Sequence, residues 1–380
     1  MTSVINIGEL VGSLTAAPLN DLAGRKGVVF IASIMVIVGV ILQLATDHKY
    51  SMIIGGRILL GYGVGNFSAT SPLYIGETAP TRIRGPLLVY WQLVLSIPQV
   101  IAGAINRGTQ GIDTTVAYCV PMGRQLIFPL IVLAFLWWIP ESLRWLLRKN
   151  KVDAARKSLQ SINRDDTSYI ADDDLVTLQH DIDNEKQLTE DSSWLDLTLD
   201  PMERRKTIHS AGVLVAQQVN GIQWFYYFGS LFSKAIALSD PFLMTLVVSS
   251  SKLSSCCWTI ASEMAVGRNR NKIYAVAVAC LWVTVWAIVF TLPYLSNSGS
   301  LGPKTGFVYT GLCVITFVYA YFCVGEVTGR SMEEINWFSI NGISARKWRD
   351  LPFPPVGETS SEKSLEVNEK NSVNMRVEGP

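Results

Sequence analysis

The sequence has little charge for its length and almost no histidine. Only 17% of its 380 residues are charged and three are histidine, whereas about a quarter of an ordinary soluble domain is charged. The formal net charge is +1, so the chain has no overall basic field that would bind nucleic acid. Hydrophobic residues make up 49% of the chain. This composition favours a protein that lies in a lipid bilayer.

Residue patterns for metal binding and covalent catalysis are also missing. The six cysteines lie mostly within apolar runs and have no paired spacing of the zinc-binding kind. Gly61, Gly63 and Gly65 do not have the spacing of a dinucleotide-binding loop, and no strand is predicted before them. No nucleophile is followed by a recognisable base. We therefore expect no enzyme, no cofactor and no metal ion.

About nine apolar runs reach or approach the roughly 20 residues that a helix needs to cross a bilayer. They cover residues 4–19, 28–46, 51–75, 86–105, 120–139, 207–230, 241–262, 272–294 and 305–324. Charged, amphipathic sequence separates the fifth run from the sixth, and a polar tail follows residue 351. The sequence predicts an all-α, polytopic transmembrane helix bundle. Its expected parts are an amino-terminal bundle (1–140), a cytoplasmic helical linker (141–205), a carboxyl-terminal bundle (206–325) and a cytoplasmic tail (326–380).

Basic residues follow alternate predicted spans, and short basic loops prefer the cytoplasm. The basic positions are Arg25, Lys26, Arg82, Arg84, Arg144, Arg148, Lys149, Arg268, Arg270, Lys272, Arg330, Arg346, Lys347 and Arg349. This pattern places the first residues outside the membrane and the tail in the cytoplasm.

Five motifs follow one another along the chain. The segment Gly56 to Gly85 contains Gly-Arg, spaced glycines and then Tyr-x-x-Glu-x-x-Pro-x-x-x-Arg-Gly. The others are NDLAGRKG, PESLRWLLRK, QQVNGIQWFYYFG and EVTGRSMEEIN. In their order along the chain, which begins with NDLAGRKG, these motifs resemble the sugar porters of the major facilitator superfamily. Longer stretches, such as LGPKTGFVYTGLCVITFVYAYF, resemble the fungal α-glucoside permease-like branch of that family.

The resemblance implies two helix bundles that rock around a central site, with charged groups at the cytoplasmic helix ends forming a gate. The residues matched to this gate are Arg25, Arg57, Glu77, Arg84, Glu141, Arg144 and Glu326. Any single arginine here has an alternative role as a topological anchor.

The resemblance also implies a carbohydrate substrate, either a hexose or an α-glucoside, carried with or without a proton at the plasma membrane. Amide and hydroxyl groups in an apolar cavity suit such a ligand. The candidate sugar-binding residues are Gln99, Gln217, Gln218, Gln223, Tyr226 and Tyr227. A lone glutamine within a span, such as Gln99, can equally bond to a neighbouring helix.

Members of this family have twelve spans, so about nine indicates a shortened chain. The expected omissions are the first span, where many proton-coupled relatives carry a buried acid, and a pair near the tenth and eleventh spans. Three hypotheses follow: a working sugar porter, a sugar sensor that does not transport, and an inactive product of a truncated or wrongly spliced gene.

Overall fold

The computed structural model describes residues 3–45, 50–79, 81–109, 116–162, 175–176, 178–179, 182, 194–219, 257–266, 269–294, 305–325, 332–340, 343 and 345–348. The regular elements within these residues are all helices. In the amino-terminal part they are α1 (Val4–Leu44), α2 (Tyr50–Thr78), α3 (Thr81–Thr109), α4 (Val116–Gly123), α5 (Ile127–Phe135), α6 (Leu143–Arg148) and α7 (Val152–Ile162). They continue with α8 (Asp196–Leu199), α9 (Pro201–Val219), α10 (Cys257–Met264), α11 (Arg270–Pro293), α12 (Thr305–Cys323) and α13 (Met332–Ile340).

Helix α1 contains the first two predicted spans, joined at a bend. Gly24 has φ 77° and ψ 173° within this helix, a backbone conformation that glycine adopts without steric penalty. The bend leaves a helical segment on either side that is long enough to cross a bilayer. Among the described helices, α1 and residues Arg270–Thr291 of α11 are long and apolar enough to cross a membrane.

The other predicted runs also coincide with helices. Runs 51–75, 86–105, 272–294 and 305–324 correspond to α2, α3, α11 and α12, and run 120–139 corresponds to α4 and α5 with a short 3₁₀ turn between them. Runs 207–230 and 241–262 lie only partly within the described residues: 207–219 belong to α9, and 257–262 belong to α10. Many large apolar side chains of α5 and α12 are exposed, among them Phe128, Phe307 and Phe317. Such surfaces suit contact with lipid.

Helices α1 and α2 pack along their length with their backbones close together. A Cβ atom at Gly12 would collide with the carbonyl oxygen of Tyr62, and one at Gly65 would collide with the carbonyl oxygen of Glu9. Glycine at these positions permits the close approach, as small residues do between membrane helices.

Helix α11 connects the two halves of the molecule, because it packs against both α9 and α1. Its inner face carries Ile273, Tyr274, Ala277 and Leu281, which share one buried apolar cluster with residues of α2, α8, α9 and α10. The amino end of α11 therefore lies where the two halves meet.

Candidate functional site

A buried ion pair joins the bend of α1 to the end of α2. Arg25 Nη2 lies 2.6 Å from Glu77 Oε1, and the two side chains are 2% and 3% exposed. Arg25 Nη1 donates a second hydrogen bond to the carbonyl oxygen of Asn20 at 3.2 Å. Ser142 Oγ donates to the other Glu77 oxygen at 2.6 Å. Glu77 therefore accepts from a cation on α1 and from a hydroxyl that lies just before α6.

Glu141 completes this arrangement by binding the backbone at the bend. Its carboxylate accepts from the amide nitrogens of Arg25 at 3.0 Å and Lys26 at 3.2 Å. These are the first free N–H groups of the helical segment that follows Gly24, and such groups attract a carboxylate. Gly24 is needed for space as well, since a Cβ there would lie 2.7 Å from Glu141 Oε2. We call Arg25, Glu77, Glu141 and Ser142 the gate cluster.

Asp21, which stands immediately before the gate cluster in sequence, makes contacts across the molecule. Asn271 Nδ2, in the first turn of α11, donates to Asp21 Oδ1 at 3.2 Å. Trp145 Nε1 of α6 donates to the Asp21 carbonyl oxygen at 3.1 Å. Arg270, next to Asn271, also acts electrostatically on Glu77. The gate cluster thus lies against the amino end of α11, and we call this end of the bundle the charged end.

A second group of polar side chains is buried along the first half of α1. Asn6, Glu9, Ser13 and Asn20 are each at most 6% exposed. Asn20 Nδ2 donates to Thr70 Oγ1 of α2 at 3.1 Å. The Asn6 side-chain amide is oriented so that its nitrogen and its oxygen both have hydrogen-bond partners. The amide nitrogen lies 3.2 Å from Glu9 Oε2, and the amide oxygen lies 3.3 Å from the backbone nitrogen of Trp286 on α11. Glu9 is therefore a buried carboxylate beside the contact between α1 and α11.

The profile of a known protein family, described as "Sugar (and other) transporter", matches residues 1–255 and 251–338. These two segments include almost the whole chain outside the tail. The chain belongs to this sugar transporter family. Members of the family carry solutes and are not enzymes, and they are integral, multi-pass membrane proteins. The gate cluster and the buried carboxylate of Glu9 on α1 are therefore features of a membrane transporter.

Individual relatives of this sugar transporter are yeast proteins. The low-affinity glucose transporter HXT4 of Saccharomyces cerevisiae strain JAY291 is 26% identical over 439 residues, covering 95% of this chain and 75% of HXT4. The low-affinity glucose transporter HXT3 of S. cerevisiae is 29% identical, over 85% of this chain and 57% of its own length. A low-affinity glucose transporter of Kluyveromyces lactis is 24% identical, over 97% and 77% of the two chains.

Solved structures share the transporter's fold. The proton:xylose symporter XylE with bound 6-bromo-6-deoxy-D-glucose superposes with a TM-score of 0.64 at 18% identity, covering 88% of this chain and 87% of XylE. The inward-open form of XylE from E. coli gives a TM-score of 0.60 at 19% identity, over 88% of both chains. The predicted fold class is confirmed: the transporter is an all-α helical bundle of the major facilitator type.

The structure brings together three of the seven residues that were predicted to form the gate. Arg25, Glu77 and Glu141 meet in the gate cluster. Arg144 lies half-buried in the first turn of α6, three residues after Glu141. Arg57 does not join them. It lies near the start of α2, about 30 Å from Glu77 at the 1.5 Å rise per residue of an α-helix.

The remaining predicted positions of the transporter are described only in part. Arg84 and Gln99 lie in α3, but their side chains are outside the described part of the chain, as are Gln223, Tyr226, Tyr227 and Glu326 altogether. Gln217 and Gln218 end α9, where both are buried. Gln218 Nε2 lies 3.4 Å from Gln217 Oε1, so the two amides adjoin.

Ser142, Asn271 and Glu9 were not among the functional candidates predicted from the sequence. Ser142 stood inside the matched PESLRW motif, and its role follows only from its contact with Glu77. Asn271 had no signal in the sequence. Glu9 could have been found, because it is the one acidic residue in the predicted run 4–19, and an ionisable residue inside a span is a functional candidate by default.

Proposed function

We propose that this transporter moves a hexose across a membrane by alternating access. The observation that carries the proposal is the gate cluster, which lies buried where the amino-terminal helices meet the amino end of α11. The yeast relatives named as glucose transporters support a hexose as the substrate. An α-glucoside is the alternative that follows from the resemblance to the α-glucoside permease-like branch.

In this proposal the charged end faces the cytoplasm and closes the transporter on that side. The contact between Asn271 and Asp21 joins the two halves when the sugar site is open to the outside. It separates when the halves rock apart. A few such contacts are sufficient, because only a few kcal/mol of differential interaction shift a two-state equilibrium. The four proposed parts remain 1–140, 141–205, 206–325 and 326–380, with the tail in the cytoplasm and the protein in the plasma membrane.

Sugar uptake into a yeast host that lacks its own hexose carriers tests the proposal. We expect labelled glucose to enter faster in cells that carry the full chain than in cells with an empty vector, at confirmed surface expression. Unlabelled glucose should inhibit the uptake of labelled glucose more strongly than maltose does. Absence of uptake for both sugars would contradict transport, and sugar binding without uptake would favour the sensor hypothesis.

We propose that Gln217 and Gln218 hydrogen-bond the sugar, with Gln223, Tyr226, Tyr227 and Gln99 as further candidates. We expect Gln217→Ala to raise the KM for glucose about five-fold, because a hydrogen bond between neutral groups contributes about 1 kcal/mol. Initial uptake rates at several glucose concentrations measure this change. Gln160→Ala, at an exposed position of α7, is the matched control and should leave KM unchanged. Equal KM values for the two variants would remove Gln217 from the sugar site.

We propose further that a proton accompanies the sugar and that Glu9 binds it. The Glu9 side chain is 6% exposed and lies beside Asn6. Gly65 of α2 and Trp286 of α11 lie near this point on the facing helices. Gly61 of α2 also packs against the backbone at Glu9, and the basic residue Arg57 lies one helical turn before Gly61. A carboxylate within a membrane span is costly in its charged form, which favours a role in proton binding and release.

Glu9→Gln tests this role, because glutamine has the same shape as the protonated acid but cannot release a proton. We expect glucose uptake by the unchanged protein to rise as the outside becomes more acidic, and uptake by Glu9→Gln to be independent of external pH. The variant should still equilibrate glucose without accumulating it. Asp153→Asn, at an exposed position of α7, should keep the pH dependence. A Glu9→Gln variant that still accumulates sugar would contradict the proposal.

We propose the shortened chain as the sequence predicts it, with the internal omission between the runs 272–294 and 305–324. Sequencing the transcript together with the genomic DNA across this region tests the proposal. Further apolar runs encoded there would contradict the omission, and their absence from the genome would support it.

A further inference from the structure

Helix α13 is too short to be stable alone. It has only nine residues, Met332–Ile340, and isolated helices below about 12 residues are marginal in water. Its apolar face is nevertheless fully buried: Ile335 is 1% exposed and Phe338 is 0% exposed. These side chains pack with Val213 of α9 and with Met264 and Val266 in and after α10. Docking on the carboxyl-terminal helices therefore holds α13 in its helical form.

A buried ion pair lies at this docking surface. Lys206 Nζ is 3.0 Å from Glu203 Oε1, one turn earlier on α9, and each side chain is 3% exposed. The same ammonium group donates to Asn336 Oδ1 of α13 at 2.8 Å. One cation thus binds a carboxylate on its own helix and an amide oxygen on the docked helix. We call Glu203, Lys206 and Asn336 the clamp cluster.

The helix that carries Lys206 is also tied to the helices around it. Ser210 Oγ donates to the Ala261 carbonyl oxygen of α10 at 2.9 Å. His209 Nδ1 lies 2.6 Å from the carbonyl oxygen of Cys323, at the end of α12. The first turns of α9 therefore connect to α10, α12 and α13, and Lys206 supplies the polar link to α13.

The clamp cluster resembles the gate cluster in composition. In the gate cluster Arg25 binds Glu77, and Glu77 accepts from Ser142, which stands at the start of α6. Both clusters contain a buried cation, a buried carboxylate and a neutral side chain on a short helix or beside it. Two buried charges are costly to desolvate unless their geometry is good, and apolar residues could fill the same space. Directional contacts between charged groups can instead specify one relative position of the helices that carry them.

We propose that Lys206 is a positioning residue that locks α13 onto α9, so that α13 moves as one body with the carboxyl-terminal helices when the two halves rock. This inference rests on the proposed transport function for its role in the cycle. The physical attachment of α13 does not depend on that function. A loose α13 would separate from α9 and α10 as the halves rock, which would slow the transport cycle without changing the sugar site.

Hydrogen exchange of the purified full chain tests the attachment without any sugar. We expect Lys206→Met, which keeps the side-chain length but not the charge, to speed amide exchange in residues 332–340 at least ten-fold. Exchange in residues 143–148 should not change, because α6 follows Ser142 of the gate cluster and has no part in the clamp cluster. Lys206→Arg should restore slow exchange, since it keeps a buried cation with donors. Lys347→Met, at an exposed position, is the matched control and should behave as the unchanged protein.

Glucose uptake by the same variants tests the role in the cycle. We expect Lys206→Met to lower Vmax about ten-fold while KM stays within two-fold, and Lys206→Arg to recover most of Vmax. Unchanged exchange in residues 332–340, or an equal increase in all helices, would overturn the attachment. If Lys206→Met does not fold, the double variant Glu203→Gln with Lys206→Met removes both buried charges, and slow exchange of its residues 332–340 would overturn the proposal. Failure of the unchanged protein to transport glucose would contradict the proposed function alone.

Discussion

Replacing Glu77 with glutamine is expected to abolish glucose uptake. Glutamine keeps the size of the side chain and one carbonyl acceptor for Arg25, but it removes the negative charge. The guanidinium of Arg25, which is 2% exposed, would then be buried without its charge partner. Breaking a buried pair in this way costs about 3 to 5 kcal/mol. That energy corresponds to a change of about two to three and a half orders of magnitude in an equilibrium, at about 1.4 kcal/mol for each factor of ten.

Initial rates of glucose uptake and the melting temperature of the purified protein measure the effect of Glu77→Gln. Asp153→Asn, on the exposed face of α7, removes a carboxylate without a buried partner and should change neither quantity. A double-mutant cycle with Arg25→Met and Glu77→Gln separates the pair from the two single effects. We expect the double variant to lose less stability than the sum of the single variants. Uptake by Glu77→Gln within two-fold of the unchanged rate would show that the pair is no gate.

The positions of most helices could be predicted because hydropathy and chain length determine them. The predicted runs 51–75, 272–294 and 305–324 each agree with a helix to within a few residues. The bend at Gly24 could not be predicted in the same way. It depends on φ of one residue and on Glu141, which lies more than one hundred residues later in the sequence.

The gate cluster contains only some of the predicted gate residues, because a motif gives the order of its residues and not the end of the helix at which each lies. Glu77 and Arg57 stand in one motif, yet α2 separates them by most of its length. Asn271 and Asp21 are 250 residues apart in sequence, so no local pattern could have paired them. Glu9 was visible as a lone acid in an apolar run, but its contact with Asn6 and α11 appears only in three dimensions.

The close packing of α1 and α2 gives the second large effect that we expect. A side chain at Gly65 would meet the backbone carbonyl of Glu9, and a backbone cannot yield as a flexible side chain does. Overpacking a well-filled contact costs about 1 to 3 kcal/mol, and occasionally more. In Gly65→Val the two helices must separate, so we expect little folded protein after solubilisation in detergent.

Gly55→Ala is the matched control on the same helix, because no atom of the described residues, apart from its chain neighbours and its own helix backbone, lies within 4 Å of the position a Cβ would take there. It should give a normal yield and an unchanged or higher melting temperature, since alanine favours a helix over glycine by about 1 kcal/mol. Size-exclusion profiles after stepwise heating compare the two variants. A Gly65→Val variant as stable as Gly55→Ala would contradict the packing.

The effect of Gly65→Val should extend from folding to transport, because α1 carries both functional groups proposed for this half. Glu9 lies in its first segment beside α11, and Arg25 begins its second segment against Glu77. A shift of α1 away from α2 would therefore lengthen the contact between Arg25 and Glu77 and displace Glu9 relative to Trp286. Gly65→Ala adds a smaller side chain, so we expect part of this variant to fold. The folded protein should take up glucose more slowly than the unchanged protein, and its uptake should depend less on external pH. Loss of only one of these properties would show that α1 does not act as a single rigid support.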